Sequence, residues 1–175
     1  MPDINTKVFL KINAPVGKSK LLDAFGRAGA EWAILAMLGW YVAGVFINGL
    51  PEKWLILPPL VFFVASWCVG WLIGLGMAIN LREPRPHVNS TQVKLLFSPL
   101  MSWKSFPSDH SMSAGLLVFL SFIFNLPGAW ATIPMALWVM WGRVYAGLHY
   151  PLDVLGGVSV ALFASAVSYY IVKML

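Results

Sequence analysis

Long apolar runs alternate with short polar segments along this 175-residue chain. A helix needs about 20 apolar residues to cross a bilayer, and a backbone in lipid must satisfy its own hydrogen bonds, which favours helices. We therefore predict an all-α, polytopic membrane helix bundle of about five transmembrane helices. The predicted spans are Ala28–Asn48, Leu55–Ile79, Pro107–Asn125, Ala129–Tyr145 and Val154–Val172.

Residues 1–27 mix apolar and basic side chains and predict an amphipathic segment at the membrane surface. Lys7 and Lys11 stand among apolar residues, and Pro15 with Gly17 interrupts the pattern, which predicts one or two short helices. A partly ordered tail is the alternative. The chain then divides into this amphipathic N-terminal segment and a membrane domain over residues 28–175.

Composition also places the chain in a membrane, because 59% of its residues are hydrophobic and only 11% are charged. The single cysteine, Cys68, lies within the second predicted span, so neither a disulfide framework nor a cysteine metal site is available. The formal net charge is +5, and the basic residues cluster in the N-terminal segment and around two polar segments. This clustering favours anionic lipid or phosphate as the partner and argues against nucleic acid.

Two polar segments hold most of the residues that could do chemistry. The first polar segment comprises residues 82–86 and 106–110, and the second comprises residues 143–153; together they contain three of the four arginines and two of the three histidines. Ionisable groups beside spans are costly, and this placement indicates function. Since successive spans alternate in direction, both segments open on the same side of the membrane. The sequence therefore predicts one shared site.

The two histidines of these segments are candidate catalytic groups. His149 and Asp153 are four residues apart, where the carboxylate could accept a hydrogen bond from the imidazole and leave its other nitrogen as nucleophile or base. A structural His–Asp pair is the alternative. His110 follows Ser108 and Asp109 at a helix start, where the dipole favours an anion. A plain N-cap by Ser108 or Asp109 is the alternative there.

Arginines supply the charge that such an anion needs. Arg85 and Arg143 carry planar guanidinium forks that match phosphate oxygens. Arg82 and Lys104 could add positive charge, although contact with a lipid headgroup explains each of them equally well. Glu31, near a span end, is expected at the surface. Because the field is already positive, the set predicts a phosphoryl-transfer site that holds neither a metal nor another cofactor.

These residues resemble the motifs of the type 2 phosphatidic acid phosphatase superfamily, which also includes vanadium haloperoxidases and glucose-6-phosphatase. The family motifs are Lys-x6-Arg-Pro, Pro-Ser-Gly-His and Ser-Arg-x5-His-x3-Asp. The end of the first matches Arg85-Pro86, the second matches residues 107–110 with one substitution, and the third matches residues 142–153 with one substitution. The order and spacing of three motifs across roughly residues 70–165 argue against a chance match.

The resemblance implies a hydrolase that forms a phosphohistidine on His149. It makes Asp153 the residue that orients His149. It makes His110 the general acid for the leaving group and then the base for the attacking water. The residues that would hold the phosphate oxygens are Arg85, Ser108, Asp109 through its backbone N–H, and Arg143.

The chain departs from the motifs at three positions. Ala78 stands where the first motif has its lysine, and Arg82, one helical turn later, is the candidate substitute for phosphate binding. Gly142 replaces the serine of the third motif. Asp109 replaces the glycine of the second and adds a carboxylate, which disfavours an anion unless it points away. The Pro-Ser-Asp-His form is similar to the bacterial undecaprenyl-pyrophosphate phosphatase branch, whose members often lack the first-motif lysine.

The leading hypothesis is an integral membrane lipid phosphatase that converts undecaprenyl diphosphate to undecaprenyl phosphate. Phosphatidylglycerophosphate, phosphatidate and lipid A phosphate are alternative substrates. A haloperoxidase-like vanadate site fits poorly, since those proteins are soluble, and a lipid-binding or transport protein with an inactive site is the non-enzymatic alternative. We expect a bacterial inner membrane location. The resemblance implies a periplasmic site, whereas the basic N-terminus predicts a cytoplasmic one by the positive-inside rule.

Overall fold

The elements of the described chain are helices joined by short connections. The computed structural model describes residues 3–49, 56–99 and 103–174, with side chains described up to residue 170. A π-helical turn at Ala28–Trp32 joins two of the α-helices. The α-helices are α1 (Ile4–Asn13), α2 (Lys20–Arg27), α3 (Ala33–Gly49), α4 (Leu57–Leu81), α5 (Pro86–Asn89), α6 (Asp109–Ile123), α7 (Ala129–Tyr145) and α8 (Pro151–Met174).

Five long helical segments correspond to the five predicted spans. Three of them, Lys20–Gly49, Leu57–Asn89 and Pro151–Tyr170, are long and apolar enough to cross a membrane. α6 has 15 residues and α7 has 17, and at about 1.5 Å per residue both are shorter than a hydrocarbon core of about 30 Å. The all-α membrane bundle is confirmed, and the chain is an integral membrane protein.

The N-terminal residues form two short helices with a turn between them, as the sequence predicts. Asp3 caps α1 and Ser19 caps α2, and each side chain accepts a bond from a backbone N–H of the first turn. Between the helices Gly17 has a φ of 81°, which favours glycine. α2 continues through the π-helical turn into α3, so residue 28, the predicted start of the membrane domain, lies inside a continuous helix.

α6 lies at the centre of the bundle and contacts α3, α4, α7 and α8. Its residues Leu116 and Leu120 are fully buried. Gly115 faces α8 so closely that an added Cβ would lie 3.0 Å from the Cβ of Ala161. Small residues allow such close approach in membranes, where helices associate through packing. This contact sets how closely the middles of α6 and α8 approach each other.

The N-terminal helices pack against the connection between α7 and α8. The ring of Phe9 meets that of Tyr150 edge-on, with 5.1 Å between centroids. The side-chain amide of Asn13 donates to the carbonyls of Lys94 and Tyr145, at 2.8 Å each. The N-terminus therefore lies on the same side of the bundle as this connection, as the alternation of spans predicts.

Candidate active site

Both polar segments open into one cavity of about 420 Å³. The first polar segment contributes His110 and Arg85, and the second contributes Arg143 and His149. The two segments therefore meet in one place, as predicted from hydropathy. The complete lining is Glu31, Arg85, Phe97, Ser98, Pro99, Asp109, His110, Arg143, Leu148 and His149.

His149 is buried in the connection between α7 and α8 and is held in one tautomer. Its Nδ1 lies 2.9 Å from the carbonyl oxygen of Ser105. Because a carbonyl only accepts, Nδ1 carries the proton and Nε2 keeps a lone pair. That Nε2 lies 3.4 Å from Nη1 of Arg85 and 3.4 Å from Nη2 of Arg143. Burial, followed by the two guanidinium charges, holds the pKa of His149 well below its usual range, so the imidazole stays neutral.

The two arginines are buried and anchored at the back of the cavity. Nη1 of Arg85 donates to the carbonyl of Leu148 at 3.1 Å, and Nη1 of Arg143 donates to the carbonyl of Ala30 at 3.2 Å. Among the described residues, neither Nε has a hydrogen-bond partner. A buried donor left unpaired is costly, so each fork has donors to offer an anion that enters the cavity.

Asp153 is close to His149 without bonding to it directly. Its Oδ2 lies 3.7 Å from Nδ1 of His149, which is beyond hydrogen-bond distance. The same oxygen accepts the hydroxyl of Ser105 at 2.6 Å and the backbone N–H of Tyr150 at 2.8 Å. Ser105 therefore stands between the two residues that the sequence pairs. The sequence does not single out Ser105, because a loop serine carries no periodic signal.

The start of α6 places His110 and Asp109 in the cavity wall. Ser108 is the N-cap, and its fully buried hydroxyl accepts bonds from the backbone N–H and the hydroxyl of Ser111. Asp109 Oδ1 accepts the ammonium of Lys104 at 2.6 Å. Lys104 is itself buried, so contact with a lipid headgroup does not describe it. Ser108 and Lys104 are absent from the lining of the cavity in the described structure.

Two residues lie wholly or partly elsewhere than the sequence suggests. Arg82 caps the end of α4 with a φ of 49°, and its exposed guanidinium donates to the carbonyl of Ile79. Within the described chain it does not line the cavity, and its role in phosphate binding stays a prediction. Glu31 lies in the π-helical turn, lines the cavity and pairs with Arg27 at 3.0 Å. The surface position expected for Glu31 holds in part, because its side chain is 33% exposed while it also faces the cavity.

Among the described residues, no group of three or more His, Cys, Asp or Glu side chains is placed to hold a metal ion. The charged donors in the cavity are instead guanidinium groups, which bind anions. The arrangement can hold a phosphate against Nε2 of His149 with His110 nearby.

Comparison with known proteins gives the same family as the motifs. The undecaprenyl-diphosphatase BcrC of Bacillus subtilis (strain 168) is 29% identical over 160 residues, which cover 91% of this chain and 79% of that protein. The bacitracin transport permease protein BcrC of Bacillus licheniformis is 27% identical over 148 residues, covering 78% and 72% respectively. The crystal structure of Aquifex aeolicus LpxE shares the fold, with a TM-score of 0.71 at 20% identity over 97% of this chain and 96% of that one.

The family model gives the decisive match. The PAP2 superfamily model covers residues 59–175, about two thirds of the chain, and this range contains both polar segments. Four of the residues that those segments bring to one cavity stand at positions that the family motifs name: Arg85, His110, Arg143 and His149. The chain therefore belongs to the PAP2 superfamily.

Proposed function

We propose that this lipid phosphatase hydrolyses a lipid diphosphate through a phosphohistidine at His149, with undecaprenyl diphosphate as the first candidate. One observation carries the reaction: the unprotonated Nε2 of His149 faces the donors of Arg85 and Arg143 in one cavity. The similarity to the undecaprenyl-diphosphatase of Bacillus subtilis supports the substrate.

The first step transfers the terminal phosphoryl group to His149. Arg85 and Arg143 bind its oxygens and neutralise their charge, which brings phosphorus in front of Nε2. Nε2 attacks, a P–N bond forms, and the P–O bond to the leaving lipid phosphate breaks. His110, on the cavity wall, gives its proton to the leaving oxygen.

The second step returns the enzyme to its starting state. Neutral His110 takes a proton from a water molecule, whose oxygen attacks the phosphohistidine. The P–N bond breaks, and inorganic phosphate leaves with His149 neutral again. The carbonyl of Ser105 holds Nδ1–H throughout, so the same nitrogen acts in every cycle.

The same charges support a reaction that needs no metal. Two permanently cationic forks offset the charge of a phosphoryl group that a divalent ion would otherwise offset. We expect phosphate release to be unchanged by a chelator and not to require added Mg²⁺. A loss of most activity in the chelator that Mg²⁺ restores would overturn metal independence.

The non-enzymatic alternative is a lipid-binding or transport protein with an inactive site. The transport permease name of the Bacillus licheniformis relative and the absent first-motif lysine favour it. The intact set of His110, Arg143, His149 and Asp153 favours the enzyme.

Phosphate release from purified full-length protein tests the proposal. Isoprenyl diphosphate, phosphatidylglycerophosphate, phosphatidate and lipid A phosphate are compared, and we expect the highest kcat/KM with the isoprenyl diphosphate. His149→Ala should fold and lose about 10³-fold or more of the activity. His87→Ala is the matched control, because His87 is not part of the described cavity lining. Wild-type protein that releases phosphate from none of the four lipids would favour the inactive-site alternative.

We place the protein in the bacterial inner membrane, because all-helical spans are the form that inner-membrane proteins take, whereas outer-membrane spans are β-barrels. The α4–α6 connection and the N-terminus share one side of the bundle, so a single accessible cysteine at either place reports the side that the site faces. Fractionation of membranes with the tagged protein tests the location.

A further inference from the structure

The backbone N–H, the carbonyl and the hydroxyl of Ser105 each form a hydrogen bond, and together these bonds link His149 to Glu83 and Asp153. Its side chain and backbone are fully buried. Its backbone N–H donates to the carbonyl of Glu83 at 3.0 Å, and its carbonyl accepts Nδ1–H of His149 at 2.9 Å. Its hydroxyl donates to Oδ2 of Asp153 at 2.6 Å.

We infer that Ser105 is a positioning residue through which Asp153 orients His149, an inference that rests on the proposed function. Asp153 is itself fixed at the start of α8 by the N–H of Tyr150, and its carbonyl accepts the N–H of Ser108 at 3.0 Å. The carboxylate therefore holds the Ser105 hydroxyl, and with it the peptide whose carbonyl points at His149. The hydrogen bond at Nδ1 selects the tautomer that leaves Nε2 free.

A direct pair between Asp153 and His149 would need a different arrangement. Their 3.7 Å separation would have to shorten to about 2.8 Å, the distance of a charged hydrogen bond. Ser105 would then be a bystander whose hydroxyl merely shares the carboxylate. The two arrangements differ in whether removal of the Ser105 hydroxyl costs catalysis.

Single and double variants distinguish the linkage through Ser105 from a direct pair between Asp153 and His149. In phosphate release from isoprenyl diphosphate we expect Ser105→Ala to lower kcat about 10- to 100-fold and to change KM and the inhibition constant of inorganic phosphate by less than about 3-fold. Asp153→Asn should lower kcat at least as much, and the double variant should be no worse than Asp153→Asn alone, because both remove one linkage. Ser165→Ala is the control, since among the described residues this buried hydroxyl bonds only the carbonyl of Ala161.

Wild-type kcat in Ser105→Ala, or losses that multiply in the double variant, would overturn this role. If Ser105→Ala does not fold, Ser105→Cys keeps the volume but weakens the donor and should show the same kcat loss. Since every value is taken relative to the wild type, an inactive wild type contradicts the proposed function, whereas an active wild type with unimpaired Ser105→Ala contradicts only this inference.

A second inference concerns Lys104, whose ammonium is buried beside α4. Besides its bond to Asp109, Nζ of Lys104 would lie 3.7 Å from a Cβ added at Gly74. Gly74 and Ala78 are one helical turn apart, and both are buried. This face of α4 therefore carries two small residues one helical turn apart. They leave room for a long side chain from another element to lie against the helix.

We propose that Lys104, in the loop before α6, takes the place of the lysine that the first family motif has at position 78 of α4. Its ammonium then supplies the positive charge that the motif lysine would supply. Side chains on a helix lean toward its N-terminus, so a lysine at position 78 would extend over the turn that contains Gly74. Lys104 places its ammonium over that same turn. Its pairing with Asp109 also offsets the extra carboxylate in the cavity wall, which leaves the charges of Arg85 and Arg143 for phosphate.

Loss and relocation of the ammonium test this second proposal. Lys104→Met should raise the inhibition constant of inorganic phosphate and lower kcat/KM about tenfold or more, because Asp109 is left unpaired beside the anion. Ala78→Lys added to Lys104→Met should recover at least half of that loss on a logarithmic scale. Lys94→Met is the control, because within the described part of the chain the Lys94 ammonium bonds only the carbonyls of Ala14 and Val16.

An unchanged phosphate inhibition constant in folded Lys104→Met would overturn the proposal whatever the rescue variant does. A folded double variant that is no better than Lys104→Met would overturn the equivalence with position 78. If Lys104→Met does not fold, Lys104→Gln keeps a donor without the charge and should show the same weakening of phosphate inhibition. An inactive wild type would instead count against the proposed function.

Discussion

The two connections that build the site differ in how they bring side chains together. The connection between α7 and α8 is short, so Arg143 at the end of α7, His149 in the connection and Asp153 at the start of α8 fall within one stretch of eleven residues. The connection between α4 and α6 is long, and its contributions at Arg85 and Ser105 reach the site only through contacts with the other connection. Local spacing in the sequence therefore organises the residues around the α7–α8 connection, whereas tertiary contacts organise those of the α4–α6 connection. The following changes test the two contributions separately.

The largest loss of activity should come from changing either cavity arginine to lysine: Arg143 at the end of α7, or Arg85 in the connection between α4 and α6. Arg143→Lys and Arg85→Lys each keep one charge but lose the planar fork that bonds a backbone carbonyl and that, in the proposed function, also bonds the phosphate. We expect kcat/KM for lipid diphosphate hydrolysis to fall about 100-fold in both variants. A fall confined to Arg143→Lys would mean that the longer connection does not take part in phosphate binding.

The second prediction concerns how the protonation of His149 makes the free energy of unfolding depend on pH. Burial and the charges of Arg143 and Arg85 lower the pKa of His149 in the folded protein, whereas in the unfolded chain it titrates near its usual 6.5. The unfolded chain then binds a proton that the folded protein excludes. The part of the free energy of unfolding that depends on neutral His149 is therefore fully present above about pH 6.5 and is lost below it, by up to about 1.4 kcal/mol per pH unit for this one group.

Unfolding of the purified protein at pH 7 and pH 5.5 measures this slope. His149→Gln should be less dependent on pH than the wild type over this interval, by up to about 1.4 kcal/mol for the one unit below pH 6.5. Equal slopes in the two proteins would show that the pKa of His149 is not lowered in the folded state, and that its Nε2 is not kept free by burial and the arginines.

The smallest effect is expected at Glu31, which belongs to neither connection. Its carboxylate lines the cavity but is partly exposed and paired with Arg27, so its repulsion of phosphate is screened. Glu31→Gln should lower the inhibition constant of inorganic phosphate about 2- to 3-fold and leave kcat within about 2-fold. Tighter inhibition by tenfold or more would mean that Glu31 is a main determinant of affinity.

The same contrast explains what the sequence could predict. Hydropathy is sufficient to predict the long helical segments, and the spacing of His149 and Asp153 brings His149, just before α8, and Asp153, in its first turn, close together. The link through Ser105 and the burial of Lys104 depend on how a long connection folds back on α4 and α8, and no local pattern encodes that path. The position of Glu31 depends on a π-helical turn, whose extra residue per turn is invisible in an apolar run.

The most direct test of the account is to find the covalent intermediate. Wild-type protein is mixed with isoprenyl diphosphate labelled in its terminal phosphate, quenched in base within milliseconds, and digested for mass spectrometry. We expect label on the peptide that contains His149, at the nitrogen Nε2. In Arg85→Lys we expect the labelled fraction to be lower, in line with its slower turnover. Rapid phosphate release with no label on His149, or label on His110 instead, would contradict the proposed phosphohistidine.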